Sequence, residues 1–173
     1  MEFEEVLRKR HSIREFREKE IPEEKIRKIL ELSNLSPSAG NLQARKVVLV
    51  KNRKTKEEIV QASLDQDFIS KAPVVFVVCA DVEESAAKYG GRGRELYSVQ
   101  DATIFASYLQ LAAISLGLSS CWIGAFKEEE IKRILNLPKE LKPIGVIPVG
   151  YFAEKPFKTS RKDLDEIIIK FSP

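Results

Sequence analysis

A long apolar segment, from about Tyr97 to Leu116, constrains the fold of this chain more than any other feature. Its small and apolar residues recur around most of a helical circumference: Ala102, Phe105, Ala106, Leu109, Leu111, Ala112 and Ala113. A helix that is apolar on nearly every side must be covered on nearly every side. A chain of 173 residues corresponds to one ordinary domain, which offers few elements for that cover. The segment therefore predicts a central helix and favours a dimer in which this helix is buried against a second copy.

Short helices and strands are predicted around that central helix. Four β-branched or continuously apolar runs indicate strands, at Lys46–Lys51, Val74–Ala80, Ser119–Gly124 and Pro143–Tyr151. Helical spacing indicates helices at Glu2–Lys9, from Pro22 to about Leu35, from Thr55 to about Ser63, at Lys127–Leu135 and at the start of the tail DLDEIIIKF. Helices and strands do not alternate as in βαβ units, so we expect an α+β fold with a sheet flanked by helices. No repeat or linker divides the sequence, and residues 1–173 are predicted to form a single domain.

Composition narrows the classes of protein that fit. The net charge of +3 suggests no continuous basic face, which makes nucleic acid a weak candidate for the main partner. No apolar run is long enough for a membrane span, and the first residues contain no secretory h-region, so a cytoplasmic protein is expected. Cys79 and Cys121 each lie in an apolar run and are predicted to pack in the core. No spacing typical of metal ligands occurs, and no metal site is predicted.

Two polar segments in the first quarter of the chain are candidates for ligand binding. The run RKRHSIR, Arg8–Arg14, places cations and a hydroxyl where a helix gives way to a loop. That combination suits a phosphate, although it is also what a solvated basic helix end looks like. The run SPSAGNLQ, Ser36–Gln43, either forms a simple turn or brings main-chain N–H groups close to a planar ligand.

Two further segments carry glycines or cations. Lys88–Arg94 contains three glycines between basic residues, but its spacing fits no known phosphate-binding loop, and we expect a mobile loop or lid. Lys158–Lys162 is a second basic cluster, far from the first in sequence.

The sequence shows no paired carboxylates in a recognisable setting and no nucleophile elbow. An enzyme with so few acid, base or nucleophile candidates can take its chemistry from a cofactor.

Five motifs, in order along the chain, resemble the FMN-dependent nitroreductase family. They are RHSIREF, LSPSAGNLQ, SLDQDFISKAPVVFVVCA, QDATIFASYLQLAAISLGLSSCWIGAF, and VIPVGYFAEKP followed by SRKDLDEII. Together they cover nearly the whole chain. The resemblance implies a nitroreductase-like fold: a mostly antiparallel sheet flanked by helices, in an intertwined homodimer that holds FMN at the subunit interface.

The resemblance also implies roles for the first basic run. Arg10 and Ser12 would bind the FMN phosphate, and His11 would lie alongside the ribityl chain. Arg14 would lie near the N1–O2 edge of the flavin, where a cation stabilises the negative charge of the reduced ring.

Later positions in the chain are assigned by the same resemblance. Gln66 would hydrogen-bond the pyrimidine edge of the flavin, and Ile123 and Gly124 would lie against its N5 side through their main chain. Arg161, with Lys158, would close on the phosphate.

The second motif would serve the other subunit. Pro37, Ser38 and Asn41 would reach the flavin that is bound mainly by the partner. The sequence departs from the family pattern immediately afterwards, because many members have Pro-Trp where this chain has Ala44 and Arg45.

The activity implied by the resemblance is an oxidoreductase reaction. NADH or NADPH would pass hydride to flavin N5, and an electron-poor acceptor (a nitroaromatic, a quinone or a free flavin) would then take it in a ping-pong mechanism. The alternatives are another reductive reaction on the same scaffold, such as dehalogenation or flavin fragmentation, and a non-catalytic FMN-binding or interaction protein.

Overall fold

The computed structural model describes residues 1–153 and 159–170. Its helices are α1 (Phe3–Lys9), α2 (Glu23–Ser33), α3 (Arg53–Ala62), α4 (Phe68–Lys71), α5 (Val82–Arg92), α6 (Ser98–Ser115), α7 (Glu128–Ile134) and α8 (Leu164–Ile167). Its strands are β1 (Arg45–Val50), β2 (Val74–Asp81), β3 (Ser119–Ser120) and β4 (Leu141–Gly150). A 3₁₀ turn spans Ala39–Asn41, and a π-helical turn, Gly93–Tyr97, leads into α6.

The strands form one 4-stranded sheet in the order β1-β2-β4-β3. Every strand pair in it is antiparallel. Val77, in the middle of β2, lies opposite Val48 of β1 and Val146 of β4. Because β2 is central and covered on both faces, it needs apolar side chains at successive positions, as its sequence VVFVVCA has. The predicted α+β class with an antiparallel sheet is confirmed.

Helices cover both faces of the sheet. Phe76 points into a core shared with α2 and α6, where Leu109 is fully buried. Val77 points the other way, into a core with Ile59 of α3 and Ile131 of α7. The predicted central helix is therefore α6. No helix in the described part of the chain is both long and apolar enough to span a bilayer.

The predicted strand at Ser119–Gly124 is wrong in extent, since β3 ends at Ser120. The next residue, Cys121, donates its N–H to Pro148 O of β4 at 3.3 Å. Proline has no N–H to return, so the reciprocal bond of an antiparallel ladder cannot form there. Pairing resumes at Ile123, which bridges Val146 of β4. The irregular stretch between them carries residues of the candidate site.

The loop predicted at Lys88–Arg94 is also wrong, because this segment is helical. Helix α5 turns sharply at Gly90, which has a φ of 57°, and continues into the π-helical turn. Gly93 lies so close to the main chain of α5 that a Cβ at this position would be 2.4 Å from Ser85 O. Gly90 and Gly93 therefore allow the chain to turn sharply and pack closely against α5.

The two cysteines are buried and free, which confirms their predicted place in the core. Burial raises the pKa of the Cys79 thiol to about 12. The native state therefore keeps the thiol proton at a pH where the unfolded chain, with an ordinary thiol pKa of about 8.5, has released it. The stability that Cys79 contributes is complete below that ordinary pKa and is lost as the pH rises toward the folded value.

We expect Cys79→Ala to be less sensitive to alkaline pH than the natural chain. The difference in free energy of unfolding between the two proteins should change by about 1.4 kcal/mol per pH unit above roughly pH 9, with the natural chain losing more. Urea unfolding at several pH values measures this difference, in which the shared lysine and tyrosine titrations cancel. A difference that does not vary with pH would contradict the prediction.

Candidate functional site

The basic run at the end of α1 divides into paired and unpaired cations. Arg8 and Lys9 form ion pairs one turn back, with Glu4 and Glu5, at 2.6 Å each. Arg10 comes after the last helical residue and forms no ion pair within residues 1–153 and 159–170. The charge of Arg10 is therefore available to a ligand, whereas those of Arg8 and Lys9 are largely balanced by their own helix.

The chain after α1 runs beside strand β3. Ser12 forms a parallel bridge with Ser120, which places the predicted phosphate-binding residues next to Cys121. Burial raises the pKa of the Cys121 thiol, and the neighbouring Arg14, Ser12 and Arg10 act in the opposite direction. Arg10, Ser12 and Arg14 thus all act on this one thiol, and we call these three predicted site residues the arginine–serine cluster.

Gln66 lies at the far end of the same stretch of chain. Its side-chain Nε2 donates to Ser63 O at 2.9 Å and to Ala125 O at 3.4 Å. Ile123 is held to Val146 by main-chain hydrogen bonds of 3.0 Å in both directions, and the exposed Gly124 follows it. The segment from Ser120 to Ala125 therefore connects the arginine–serine cluster to Gln66.

The turn before Gln66 adopts a conformation that ordinary residues avoid. Leu64 and Asp65 have φ values of 55° and 56°, in the left-handed region. Such conformations persist only where the surrounding structure enforces them, and they concentrate at functional sites. No sequence pattern indicated this pair, because neither residue is a glycine or asparagine.

The loop Ser36–Asn41 lies on another part of the subunit, against α6. Ala39 donates its N–H to Asp101 of α6 at 2.8 Å. Pro37 and Ser38 line an apolar cavity of about 560 Å³ together with Tyr97, Val99, Gln100, Thr103 and Ile104. None of the hydrogen bonds among described residues joins this loop to the arginine–serine cluster. The loop is instead held beside α6, and the arginine–serine cluster is held beside β3.

The remaining predicted residues have less structural support. His11 is half-buried and lines a cavity of about 400 Å³ with Arg8 and Phe152. Arg161 is exposed, and its Nη1 donates to Thr159 Oγ1 at 2.9 Å and to Ser160 O at 3.2 Å, so its described contacts are local. Lys158 lies outside the described residues.

Two charged residues that were not predicted lie under the Ser36–Asn41 loop. Arg45 is 7% exposed and Asp101 is 2% exposed. A carboxylate inside an apolar helix was a usable signal for Asp101, because such groups are buried only when something compensates them. Arg45 gave no comparable signal, since a basic residue at the start of an edge strand is ordinarily solvated.

A helix-flanked antiparallel sheet with an arginine–serine cluster at its edge defines an α+β protein suited to an anionic ligand. The family model described as Nitroreductase family matches residues 7–66 and 62–151. The chain belongs to the nitroreductase family, as its sequence motifs predict.

Relatives and solved structures agree with this assignment. A Methanothermobacter thermautotrophicus protein with the provisional name NADH dehydrogenase/NAD(P)H nitroreductase is 35% identical over 167 residues, covering 94% of this chain and 84% of its own. An FMN reductase [NAD(P)H] of Bacillus subtilis is 28% identical over 163 residues, covering 87% and 66%.

Among solved structures, an FMN-dependent nitroreductase of Clostridium difficile has a TM-score of 0.81 at 29% identity, covering 97% of this chain and 98% of its own. A nitroreductase family protein of Streptococcus pneumoniae has a TM-score of 0.90 at 25% identity, covering 98% and 100%.

Proposed function

We propose that this protein is an FMN-dependent oxidoreductase that takes electrons from NADH or NADPH and reduces an electron-poor acceptor. The observation that carries the proposal is the bridge that places Ser12, between Arg10 and Arg14 in sequence, beside Ser120 and Cys121 at the edge of the sheet, in a chain of the nitroreductase family. The names of relatives support the cofactor and the donor, because they include FMN reductase [NAD(P)H] and NAD(P)H nitroreductase.

The residues present fit the phosphate end of FMN. Arginine offers forked N–H donors that match phosphate oxygens, and charge-assisted hydrogen bonds of this kind are the strong ones. The hydroxyl of Ser12 is exposed beside them and adds a donor of its own. His11, next in the chain, would lie along the ribityl group, and Arg161 with Lys158 would close on the phosphate.

The residues present also fit the ring of FMN. The half-buried amide of Gln66 uses Nε2 to donate to Ser63 O and Ala125 O, which leaves its Oε1 to accept an N–H from a pyrimidine edge. Gly124 is exposed and lacks a side chain, so its main chain can approach a flat ligand closely. Arg14 would place a positive charge at the same edge. When bound, FMN supplies two-electron chemistry at N5, while these side chains bind and orient it and leave one face accessible.

The accessible face of the bound FMN is the basis for the acceptor and the order of reaction that we propose. We infer a ping-pong order in which the nicotinamide leaves before a nitroaromatic, quinone or free flavin occupies the same position. Initial rates at varied donor and acceptor concentrations should give parallel double-reciprocal lines. Intersecting lines would contradict the shared position.

A homodimer is part of the proposal. The α8 segment and the residues after it expose Leu164, Ile167, Ile168 and Ile169. Among the described strands, β1 pairs only with β2 and presents a free edge. The apolar cavity beside Pro37 and Ser38 is a second uncovered surface, and it lies along α6. Exposed apolar surfaces of this kind mark subunit interfaces. An intertwined dimer of single-domain subunits would cover them and bring Pro37, Ser38 and Asn41 to the partner's flavin.

The primary test is the colour and composition of the purified protein. We expect a yellow protein that releases FMN on denaturation and is bleached anaerobically by NADH or NADPH. A colourless protein that takes up no added FMN would refute the proposal. Stable FMN binding without reduction by either nicotinamide would instead favour a non-catalytic flavin protein. Turnover with halogenated acceptors but not with nitroaromatics or quinones would favour dehalogenation.

The cytoplasmic location stays a prediction.

Arg10→Gln should weaken FMN binding by roughly 10- to 100-fold, because it removes charge-assisted hydrogen bonds worth about 1.5–3 kcal/mol. Quenching of FMN fluorescence on titration with the apoprotein measures the Kd. Arg8→Gln is the matched control, since Arg8 is already paired with Glu4 and its loss should change the Kd less than about threefold. Equal effects of the two substitutions would mean that binding reflects general positive charge rather than a site at Arg10.

A further inference from the structure

Arg45 is a buried cation held beneath the loop Ser36–Asn41. Its Nη2 donates long hydrogen bonds to Asn34 O at 3.3 Å and to Ser36 O at 3.5 Å. The guanidinium also lies over the ring of Phe105, at 5.2 Å from the centroid. Its Nε and Nη1 are buried and make no hydrogen bond with the described residues. The side chain therefore holds the start of the loop but is incompletely satisfied.

Asp101 is a buried anion that holds the next part of the same loop. Its Oδ1 accepts the main-chain N–H of Ala39 at 2.8 Å, while its Oδ2 has no hydrogen-bond partner in the described residues. The negative charge of Asp101 acts on Arg45 and opposes the effect of burial, which lowers the pKa of the guanidinium. A buried charge without an opposite charge nearby is costly. The charge of Asp101 therefore partly compensates that of Arg45, while Arg45 holds the start of the loop and Asp101 holds its middle.

The loop needs such support because its own conformation is unfavourable. Gly40 and Asn41 have φ values of 56° and 58° in succession, and Gln43 follows at 55°. Gly40 adopts this region without steric cost, but Asn41 and Gln43 carry a Cβ, and non-glycine residues persist in it only where neighbours impose it. A Cβ at Gly40 would lie 2.3 Å from the hydroxyl of Tyr89, so α5 covers the loop on its outer side. Arg45 and Asp101 hydrogen-bond the main chain of the loop from its inner side.

We propose that Arg45 and Asp101 are positioning residues that hold Ser36–Asn41 in the shape that meets the partner's FMN, an inference that rests on the proposed function. The sequence departs from the family's Pro-Trp pattern at Ala44–Arg45, and the departure supplies the cation of this pair. Arg45 and Asp101 touch neither flavin nor substrate in this assignment. They act through the main chain of the loop.

The test measures the loop and the cofactor separately. Arg45→Met and Asp101→Asn each leave one buried charge without its opposite, and the double variant removes both. Hydrogen exchange of the Ala39 amide in the apoprotein should become about tenfold faster or more in each single variant, since a buried pair has been broken. The Kd for FMN should rise by a similar factor, while kcat at saturating FMN stays within about twofold. The double variant should recover part of both losses, because the effects of two residues whose charges act on each other are not additive.

Lys56→Met is the matched control for lost stability. Lys56 is also buried, and its Nζ donates to Ala72 O at 2.6 Å, in a region that α3 and α4 cover. This variant should lower the melting temperature without changing Ala39 exchange or the Kd for FMN. Arg45→Lys keeps the charge but loses the forked donors, so it should fold even if Arg45→Met does not and show an intermediate increase in exchange.

Two outcomes separate this inference from the proposed function. If Arg45→Met, Asp101→Asn and Arg45→Lys lower the melting temperature as Lys56→Met does but leave Ala39 exchange unchanged, the pair is merely structural and the inference is overturned. If the natural chain binds no FMN, the proposed function fails, while Ala39 exchange in the apoprotein still reports whether the pair holds the loop.

Discussion

Removal of residues 163–173 should convert the protein into a monomer that no longer retains FMN. The deleted segment contains Ile167, Ile168 and Ile169, which are 62%, 49% and 96% exposed in the single subunit. Burying an isoleucine contributes about 1.5–3 kcal/mol, so two exchanged tails would together stabilise a dimer by roughly 10 kcal/mol. Because we propose that Pro37, Ser38 and Asn41 reach the flavin from the partner, loss of the dimer should remove the cofactor as well.

Light scattering after size-exclusion chromatography would give the oligomeric state, and absorbance near 450 nm would give the bound flavin. A gentler variant, Ile167→Asp with Ile169→Asp, keeps the length of the tail while making its apolar face polar. Asp165→Asn changes a charge in the same exposed segment and should leave the dimer intact. A truncated protein that remains dimeric and yellow would contradict the role assigned to the tail, and circular dichroism would show that any monomer is still folded.

Phe76→Ala should be the most destabilising single substitution considered for the sheet. Phe76 is fully buried in the central strand β2, opposite Leu49 of β1 and Ile147 of β4. Truncation of such a side chain costs about 3–5 kcal/mol, because it combines lost burial with a cavity that the neighbours cannot fill. A loss of this size is a large fraction of the stability of an ordinary domain.

Urea unfolding at a fixed protein concentration would measure this loss, since the stability of a dimer depends on concentration. Leu49→Ala is the control, as Leu49 is 39% exposed on the neighbouring edge strand and should cost about 1 kcal/mol. Similar losses from the two substitutions would mean that the core is not centred on β2.

The sequence predicted only part of the candidate site. The cations Arg10 and Arg14 and the hydroxyl of Ser12 stand out in one short run, so a phosphate site could be suggested from local chemistry. Their position beside Cys121 could not, because it depends on the bridge between Ser12 and Ser120 across more than half the chain. The sequence likewise could not predict that Arg45 and Asp101 act together, because no sequence pattern links one residue to the other.

The sequence by itself determined the main helix and strands of this protein and the family to which it belongs. Apolar residues around a full helical circumference specify a buried helix, continuous β-branched runs specify buried strands, and motifs in family order specify a nitroreductase. These properties are local, because each depends on side chains that are neighbours along the chain.

Only the tertiary structure determined where those helices and strands end and which residues they contact. Strand β3 stops at Ser120 because the next residue, Cys121, lies opposite Pro148 of β4, and α5 turns sharply at Gly90 because Gly93 can lie against the carbonyl of Ser85. The main chain of the Ser36–Asn41 loop is hydrogen-bonded by two buried charged residues on different elements. The end of β3 and the hydrogen bonds of the loop depend on atoms that are distant in sequence, whereas the turn in α5 depends on close main-chain packing, which no side chain would permit. Burial decides the polar cases, because an unpaired polar group is costly where water is excluded.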